Sequence, residues 1–344
     1  MDFGRGQLMV FPSNISPLTS NASKPLASLS LDLDNLWSYM KTHGDSGWEK
    51  YPSYLDTVVP RALDILDELG LRITFFIVGK DAEREENRSA LRAIVERGHE
   101  VGNHSYNHEP WIGSYEKDTV RREISLAEDR IAAAAGQKPI GFRGPGFSWS
   151  LDHLAVLAER GYVFDASTLP TYIGPLARAY YFRKSDLSDE EKNVRKELYG
   201  TFHDGLRPVV PYRWLLPDGK AMLEIPVTTM PVFKIPFHLS YLLYLSKYSA
   251  ILSDLYLKIA LNMCRVTGTS PSFLLHPLDL IGGDELKEIS FFPGMDISSG
   301  HEKRFFKKVI TQISQYYNLA SMGRHANEIL NKGPLKKVKL SAND

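Results

Sequence analysis

Hydrophobic and polar positions alternate in short blocks from about residue 26 onward. Leu26–Leu33 reads as a strand, and its period of two sends Leu33 to one side and Asp32 and Asp34 to the other. Val58–Gly70 has helical apolar spacing and ends on glycine; Arg72–Val78 is strand-like; Ser89–Gly98 is a second short helix. Val101 opens the next strand. Lys117–Gly136 follows as a long amphipathic helix, Pro139–Arg143 as a strand, Leu151–Gly161 as a helix and Tyr162–Ala166 as a strand. After a looser stretch, Met222–Val227 and Ser272–Leu275 resume as strands. His301–Tyr317, Leu319–Met322 and Arg324–Leu330 close the pattern as helix, strand and helix.

Alternating strands and helices predict a parallel sheet covered by helices. The polar residues with chemical potential fall where strands end: Asp32 and Asp34, His104, Arg143, Asp165 and His276. A (β/α) barrel gathers its loops at that face, which favours a barrel over an open sheet. The expected organisation is a flexible leader over 1–25 and one barrel domain over 26–331, with insertions at about 168–221 and 229–268. A basic tail over 332–344 is expected to fray.

Ile235–Cys264 is unusually apolar, and Ile235–Ser246 carries no charge. A membrane-spanning helix needs roughly 18–20 such residues, so a span is not expected. Two readings stay open: a helix buried between barrel and insertion, or one lying in a membrane interface. Tyr241, Tyr244, Tyr248 and Tyr256 suit the second.

The 344 residues, 43% of them hydrophobic, can bury a large core. Lys+Arg and Asp+Glu are both 41, which argues against nucleic acid as a partner. The single cysteine, Cys264, excludes an internal disulfide and a thiolate-rich metal site, and reads as inert on a buried helix. The first 27 residues lack a charged start followed by a clear apolar core. The expectation is a cytoplasmic protein, peripheral at the inner face of the membrane if 235–264 is interfacial. Nothing in the pattern fixes an oligomeric state.

His104 and His108 stand four apart, one turn on a helix, so both imidazoles could face one ion, with Asp34 as an oxygen ligand. Two histidines and a carboxylate leave a coordination position open for water and substrate. Surface or capping histidines would give the same spacing, and a solvated turn would give the aspartates. Two aspartates side by side at a strand end, however, call for a cation or an arginine nearby.

The ordered set LDLDN (31–35), HSYNH (104–108), FRGPGF (142–147), FDAS (164–167) and LLHPLD (274–279) resembles the metal-dependent polysaccharide deacetylase (NodB-homology) family. The resemblance runs from about Leu26 to Leu330. It implies an α/β fold: the family's distorted, incomplete (β/α) barrel, here with insertions. It implies Asp34, His104 and His108 as ligands of a divalent metal ion, zinc foremost, and Asp32 as general base paired with Arg143. It further implies the Gly146 backbone N–H at the oxyanion, and His276 as general acid oriented by Asp165. The chemistry fits. A zinc-type ion brings bound water to a pKa of about 7, and a histidine can protonate a leaving amine near neutrality. The implied reaction removes an acetyl or formyl group from an aminosugar, in a polysaccharide or a lipid-linked glycan.

The chain departs from the family at Leu33, which separates aspartates that are usually adjacent, and at Asn35, where glycine is usual. Gly144 and Gly146 replace bulkier residues. The variant resembles an intracellular branch that includes deformylases of lipid-linked aminosugars and allantoinase-like enzymes. Cyclic-imide C–N hydrolysis is therefore the alternative activity, and a non-catalytic carbohydrate-binding barrel a second. Among the remaining candidates, His99 reads as structural, and His203 and Asp204 as an exposed loop. Trp37, Tyr39, Trp48 and Tyr51 read either as sugar platforms or as ordinary cover. Ser167 has no evident base beside it.

Overall fold

The computed structural model describes residues 24–184, 187–194, 200–287, 292 and 295–340. The leader expected over 1–25 therefore lies outside the described residues, apart from Lys24 and Pro25. The chain begins with β1 (Leu26–Leu33), α1 (Leu36–His43), α2 (Leu55–Glu68), β2 (Thr74–Ile77), α3 (Gly79–Glu83), α4 (Arg88–Glu96) and β3 (Glu100–Asn103). It continues through α5 (Lys117–Ala135), β4 (Gly141–Phe142), α6 (Leu151–Arg160), β5 (Phe164–Asp165), α7 (Gly174–Lys184), α8 (Asp189–Val194), β6 (Tyr212–Leu215) and β7 (Ala221–Glu224). The last third holds α9 (Leu239–Tyr248), α10 (Ala250–Val266), β8 (Ser272–Leu275), α11 (Ser299–Ser314), β9 (Asn318–Ala320), α12 (Met322–Asn331) and β10 (Lys337–Lys339).

The strands form one sheet in the order β10-β6-β7-β5-β4-β3-β2-β1-β8, with β9 also on β1. Every pairing between these strands is parallel except the antiparallel β6–β7 pair. Among the described residues no pairing joins β8 to β10, so the sheet is a distorted, incomplete barrel, as the family resemblance implies.

The two faces of the strands explain where the site lies. In β1, Leu29, Leu31 and Leu33 enter the largest apolar cluster, beneath α2 and α11. Ser28, Ser30 and Asp32 alternate with them and face the other way. There Ser28 meets His325, and Ser30 and Asp32 meet Arg143. In β2, Phe75 and Ile77 join the same cluster, while Phe76 packs on the other face with Phe164, Leu223 and Met322. Each of these side chains is fully or almost fully buried, and burying a phenylalanine or leucine contributes roughly 1.5–3 kcal/mol.

Three expectations change. The stretch assigned to an insertion at about 168–221 contains β6, a full member of the sheet. The tail over 332–344 does not simply fray: Lys337–Lys339 pairs with β6, because the alternation Lys-Val-Lys turns Val338 onto the cluster of Tyr212 and Trp214. The apolar segment 235–264 is two helices, not one. Ser249 is extended (φ −161°) and its hydroxyl accepts from the Leu252 N–H, so it N-caps α10 and ends α9.

A chain ended at Lys332 should lose the β10–β6 ladder and the cover that Val338 and Leu340 give to Trp214. Urea unfolding is expected to show a loss of roughly 2–4 kcal/mol; an unchanged midpoint would mean that β10 adds nothing to the sheet.

Candidate metal centre and active site

The register of the parallel strands brings the chemical residues to one end of the sheet. Leu33 pairs with Ile77, Ile77 with Asn103, Asn103 with Phe142 and Phe142 with Asp165. On the other side of β1, Leu31 pairs with Leu275, so Asp32 and His276 follow one another's partners on adjacent strands. Asp34, His104 and Arg143 are thus the first residues beyond, or close to, aligned strand ends.

His104 and His108 are not on a helix. They bracket a loop after β3 in which Ser105 (φ 59°) and His108 (φ 51°) are left-handed, a conformation that costs a non-glycine residue about 1 kcal/mol or more. Side chains hold it there. Asn103 Oδ1 accepts from the Ser105 N–H, and the Glu123 carboxylate of α5 accepts from the Tyr106 and Asn107 N–H groups and from the Asn107 side chain. The outcome expected from helical spacing is reached by another route: one ligand atom each from Asp34, His104 and His108 lies within 4.8 Å of the others, and all three residues are buried.

The donor set fits a cation. His104 Nδ1 is 2.7 Å from the Arg143 carbonyl, which can only accept, so the ring proton is on Nδ1. In the neutral ring Nε2 then carries a lone pair, and it faces Asp34 Oδ1 at 3.2 Å, with His108 Nε2 at 2.9 Å from the same oxygen. A divalent ion would convert these facing lone pairs into ligands. Without one, burial would raise the Asp34 carboxyl, but the charges and hydrogen bonds of His108 and His104 hold it well below the usual carboxylate range. Burial likewise works against protonation of His104, but Asp34 and Asp32 raise its pKa.

Asp32 is pinned by Arg143. The guanidinium is fully buried; Nη1 donates to Asp32 Oδ1 (2.7 Å) and Ser30 Oγ (2.8 Å), Nε donates to the Ala166 carbonyl, and the Phe76 ring lies 4.5 Å away. Beyond it the chain turns through Pro145–Phe147 with Gly146 at φ 59°. Gly144 has no room for a side chain, since a Cβ there would stand 1.9 Å from the Ser148 carbonyl oxygen.

Asp165 does not orient His276. Its Oδ1 accepts from Ser167 Oγ (2.6 Å), and Ser167 Oγ accepts from the Gly144 N–H (2.8 Å), which ties Asp165 to the arginine loop instead. The reason is local: Asp165 is taken up by the Ser167 hydroxyl and stands against the buried Glu224 on β7. The carboxylate beside His276 is Asp279. It accepts from the His276 N–H (2.7 Å) and from Ser240 Oγ (2.8 Å), leaving Ser240 to accept from His276 Nδ1–H at 3.2 Å. Nε2 of His276 is then the nitrogen left for substrate. Asp279 lay within the LLHPLD string, and its place three residues after a His-Pro step is a capping signal; Ser240, far off in sequence, gave none. His238 is also buried nearby, its ring 5.8 Å from that of His276, and burial pushes its pKa well down, with the charges of His276 and Arg143 adding to the effect.

The other candidates separate. His99 accepts from the Ile73 N–H at the far end of the strands, and burial takes it down to about 4. Asp204 caps a turn at Thr201. Asn35 Oδ1 caps α1, and its amide joins Trp37 Nε1 on the buried Asp81. Trp37 itself stands edge-on to His108 at 6.5 Å. Cys264 is buried, and burial pushes its thiol up to about 12.

The polysaccharide deacetylase family profile matches residues 45–164. The chain is 27% identical over 220 residues to the peptidoglycan deacetylase of Helicobacter pylori, covering 59% of this chain and 70% of that one. It is 29% identical over 181 residues to a peptidoglycan deacetylase-like protein of Gibberella zeae, spanning about half of each chain (50% and 51%). The fold matches a Mycobacterium smegmatis protein assigned as a polysaccharide deacetylase, with a TM-score of 0.58 at 19% identity over 95% of this chain and 98% of that one. The chain is thus similar, in sequence over residues 45–164 and in fold, to polysaccharide deacetylases.

Proposed function

We propose that this protein is a metal-dependent hydrolase that removes an N-acyl group, acetyl or formyl, from an aminosugar. The observation that carries the reading is the convergence of His104 Nε2 and His108 Nε2 on Asp34 Oδ1, one step from a carboxylate fixed by a buried arginine. The name of the Helicobacter pylori relative supports an aminosugar polymer as the substrate class.

A divalent ion, zinc foremost, held by Asp34, His104 and His108 would supply Lewis-acid activation of water and of the amide carbonyl. Asp32 accepts the proton of the attacking water; Arg143 keeps it aimed. The Gly146 N–H is the backbone donor nearest in sequence to Arg143 that could meet the developing oxyanion. His276, its Nδ1–H held by Ser240 and Ser240 by Asp279, gives the Nε2 proton of its doubly protonated form to the departing amine and is left neutral. Asp165 serves through Ser167 as support for the arginine loop.

A lipid-linked sugar, and a peripheral seat at the inner face of the membrane, are supported by one further observation. Tyr248, Ile251, Leu252, Leu255 and Ile259 of α9 and α10 are exposed on the helix pair that carries Ser240. No described helix is long and apolar enough to cross a membrane.

Asp34→Ala or His104→Ala should abolish stoichiometric metal, measured by elemental analysis, along with turnover of N-acetylated sugars. Asp32→Asn should keep the metal and lower kcat about 10²–10⁴-fold. Retained metal and rate in the first pair would refute the centre, and faster turnover of small cyclic imides than of N-acyl sugars would favour the alternative activity. Ser240→Ala should lower kcat roughly tenfold and shift the alkaline limb of its pH profile, which a merely structural serine would not do. In liposome flotation, the protein should rise with anionic vesicles and Ile251→Asp should sink; a parent protein that stays at the bottom would rule out the membrane seat.

A further inference from the structure

The catalytic groups gather beyond the C-terminal ends of the strands. A second polar cavity, of about 340 Å³, opens at the opposite end of the sheet. Arg72 lies just before β2, His99 and Glu100 at the start of β3, Gln137 just after α5, and Ser321 and Arg324 at the start of α12; all of them line it. No step of the proposed hydrolysis reaches this end.

The side chains of the cavity offer donors with nothing to receive them. The Ile73 N–H donates to His99 Nδ1 (3.3 Å), so the neutral ring carries its proton on Nε2. Burial keeps the ring neutral, and the charges of Arg72 and Arg97 add to the effect. His99 is only 2% exposed, and its Nε2–H has no acceptor among the described residues. Gln137 Oε1 accepts from the Val101 N–H (2.9 Å), which leaves its NH2 group, a pair of donors, for a ligand. Arg324 is exposed, and its guanidinium has no hydrogen bond or ion pair among the described residues. Arg72 is fixed by the Leu71 carbonyl (2.7 Å) and by Asp67 (2.8 Å). The carboxylate in the lining, Glu100, is already taken up by Thr74 Oγ1, Ser321 Oγ and the Gly323 N–H.

The chemistry narrows the ligand. A cation would meet two guanidinium groups. An apolar ligand would leave the buried donor unpaired. A neutral hydroxyl would accept one bond and bring no charge to Arg324. An oxyanion answers both needs. The donors come from three places in the fold, before β2, after α5 and on α12, which suits a tetrahedral group with oxygens in several directions better than a planar carboxylate.

We propose that this cavity is a phosphoryl-binding site, separate from the catalytic centre, in which Arg324 and Arg72 meet the charge while Gln137 and His99 donate to the oxygens. The helix that carries Arg324 begins at Met322, whose Sδ lies 3.4 Å from Arg143 Nη2. A ligand held there bears on the helix that underlies the arginine of the catalytic face.

Calorimetry with inorganic phosphate tests it, at fixed ionic strength with chloride as the reference anion. One phosphate per chain should bind, and it should raise Tm above the value in chloride. Arg324→Gln, at an exposed position without internal partners, should fold as the parent does and weaken phosphate at least tenfold; Arg72→Gln should weaken it fivefold or more. Asp34→Ala, which disables the metal centre, should bind phosphate as tightly as the parent. Loss of binding in that variant would put the phosphate on the metal and overturn the proposal. A parent that binds no phosphate, or an affinity indifferent to both arginine substitutions, would overturn it too, as would tighter binding of succinate, the mark of a carboxylate site. Glycerol 3-phosphate separates the sources: affinity above that of inorganic phosphate assigns the site to a phosphate monoester, affinity below it to the free ion, and either result supports the phosphoryl class.

Discussion

Arg143 is the interaction on which the rest of the site depends. A fully buried guanidinium is costly to desolvate and is tolerated only with a carboxylate and several acceptors around it. Asp32, Ser30 and the Ala166 carbonyl meet that need. The same residue's backbone carbonyl accepts from His104 Nδ1, which fixes the tautomer and turns Nε2 toward Asp34. One position therefore fixes the place of the base through its side chain and the orientation of a metal ligand through its backbone. Substituting it would leave Asp32 buried with one partner fewer, while the backbone carbonyl that holds His104 would remain.

What holds Arg143 in turn is β5. The Gly144 N–H reaches Ser167, Ser167 reaches Asp165, and Glu224 stands against Asp165 in a fully buried pair. Burial and the Asp165 charge raise the Glu224 carboxyl well above the usual range. The other contacts of Glu224, to Thr168 and to Trp214 Nε1, join this chain to the β6–β7 hairpin. The hairpin is thus the outer anchor of the arginine loop, which explains why a strand within an apparent insertion belongs to the sheet.

The parts of this arrangement that local period governs were legible in the sequence. The alternation of β1 fixes which side Asp32 and Asp34 share, and strand ends collect the chemical residues wherever a parallel sheet forms. What failed depended on long-range partners. Helical spacing put His104 and His108 together for the wrong reason, because Glu123, some fifteen residues on, holds two left-handed residues that no local pattern signals. Asp165 was assigned to His276 by resemblance, yet Ser167 takes up Asp165, and Asp279, three residues on in the same loop, reaches His276. Ser240 was illegible because it acts from a helix 36 residues upstream of His276. The Lys-Val-Lys tail looked unstructured since a three-residue edge strand is defined by the neighbour it pairs with.

The two halves of the candidate site therefore differ in how they are held. The base rests on a guanidinium with no solvent exposure, enclosed by strands β1, β4 and β5. The acid is oriented by Ser240 on α9, a helix secured by Leu239, Leu242 and Leu243 while Tyr248 is 65% exposed and Ile251, just beyond, 82%. Local opening costs least where few apolar contacts are buried, so displacing α9 is easier than displacing the arginine. Any surface that covers the apolar face of α9 and α10 would add buried area to the element that positions His276 and none to the element that positions Asp32. Occupancy of that face would then act on proton delivery to the leaving amine rather than on activation of water.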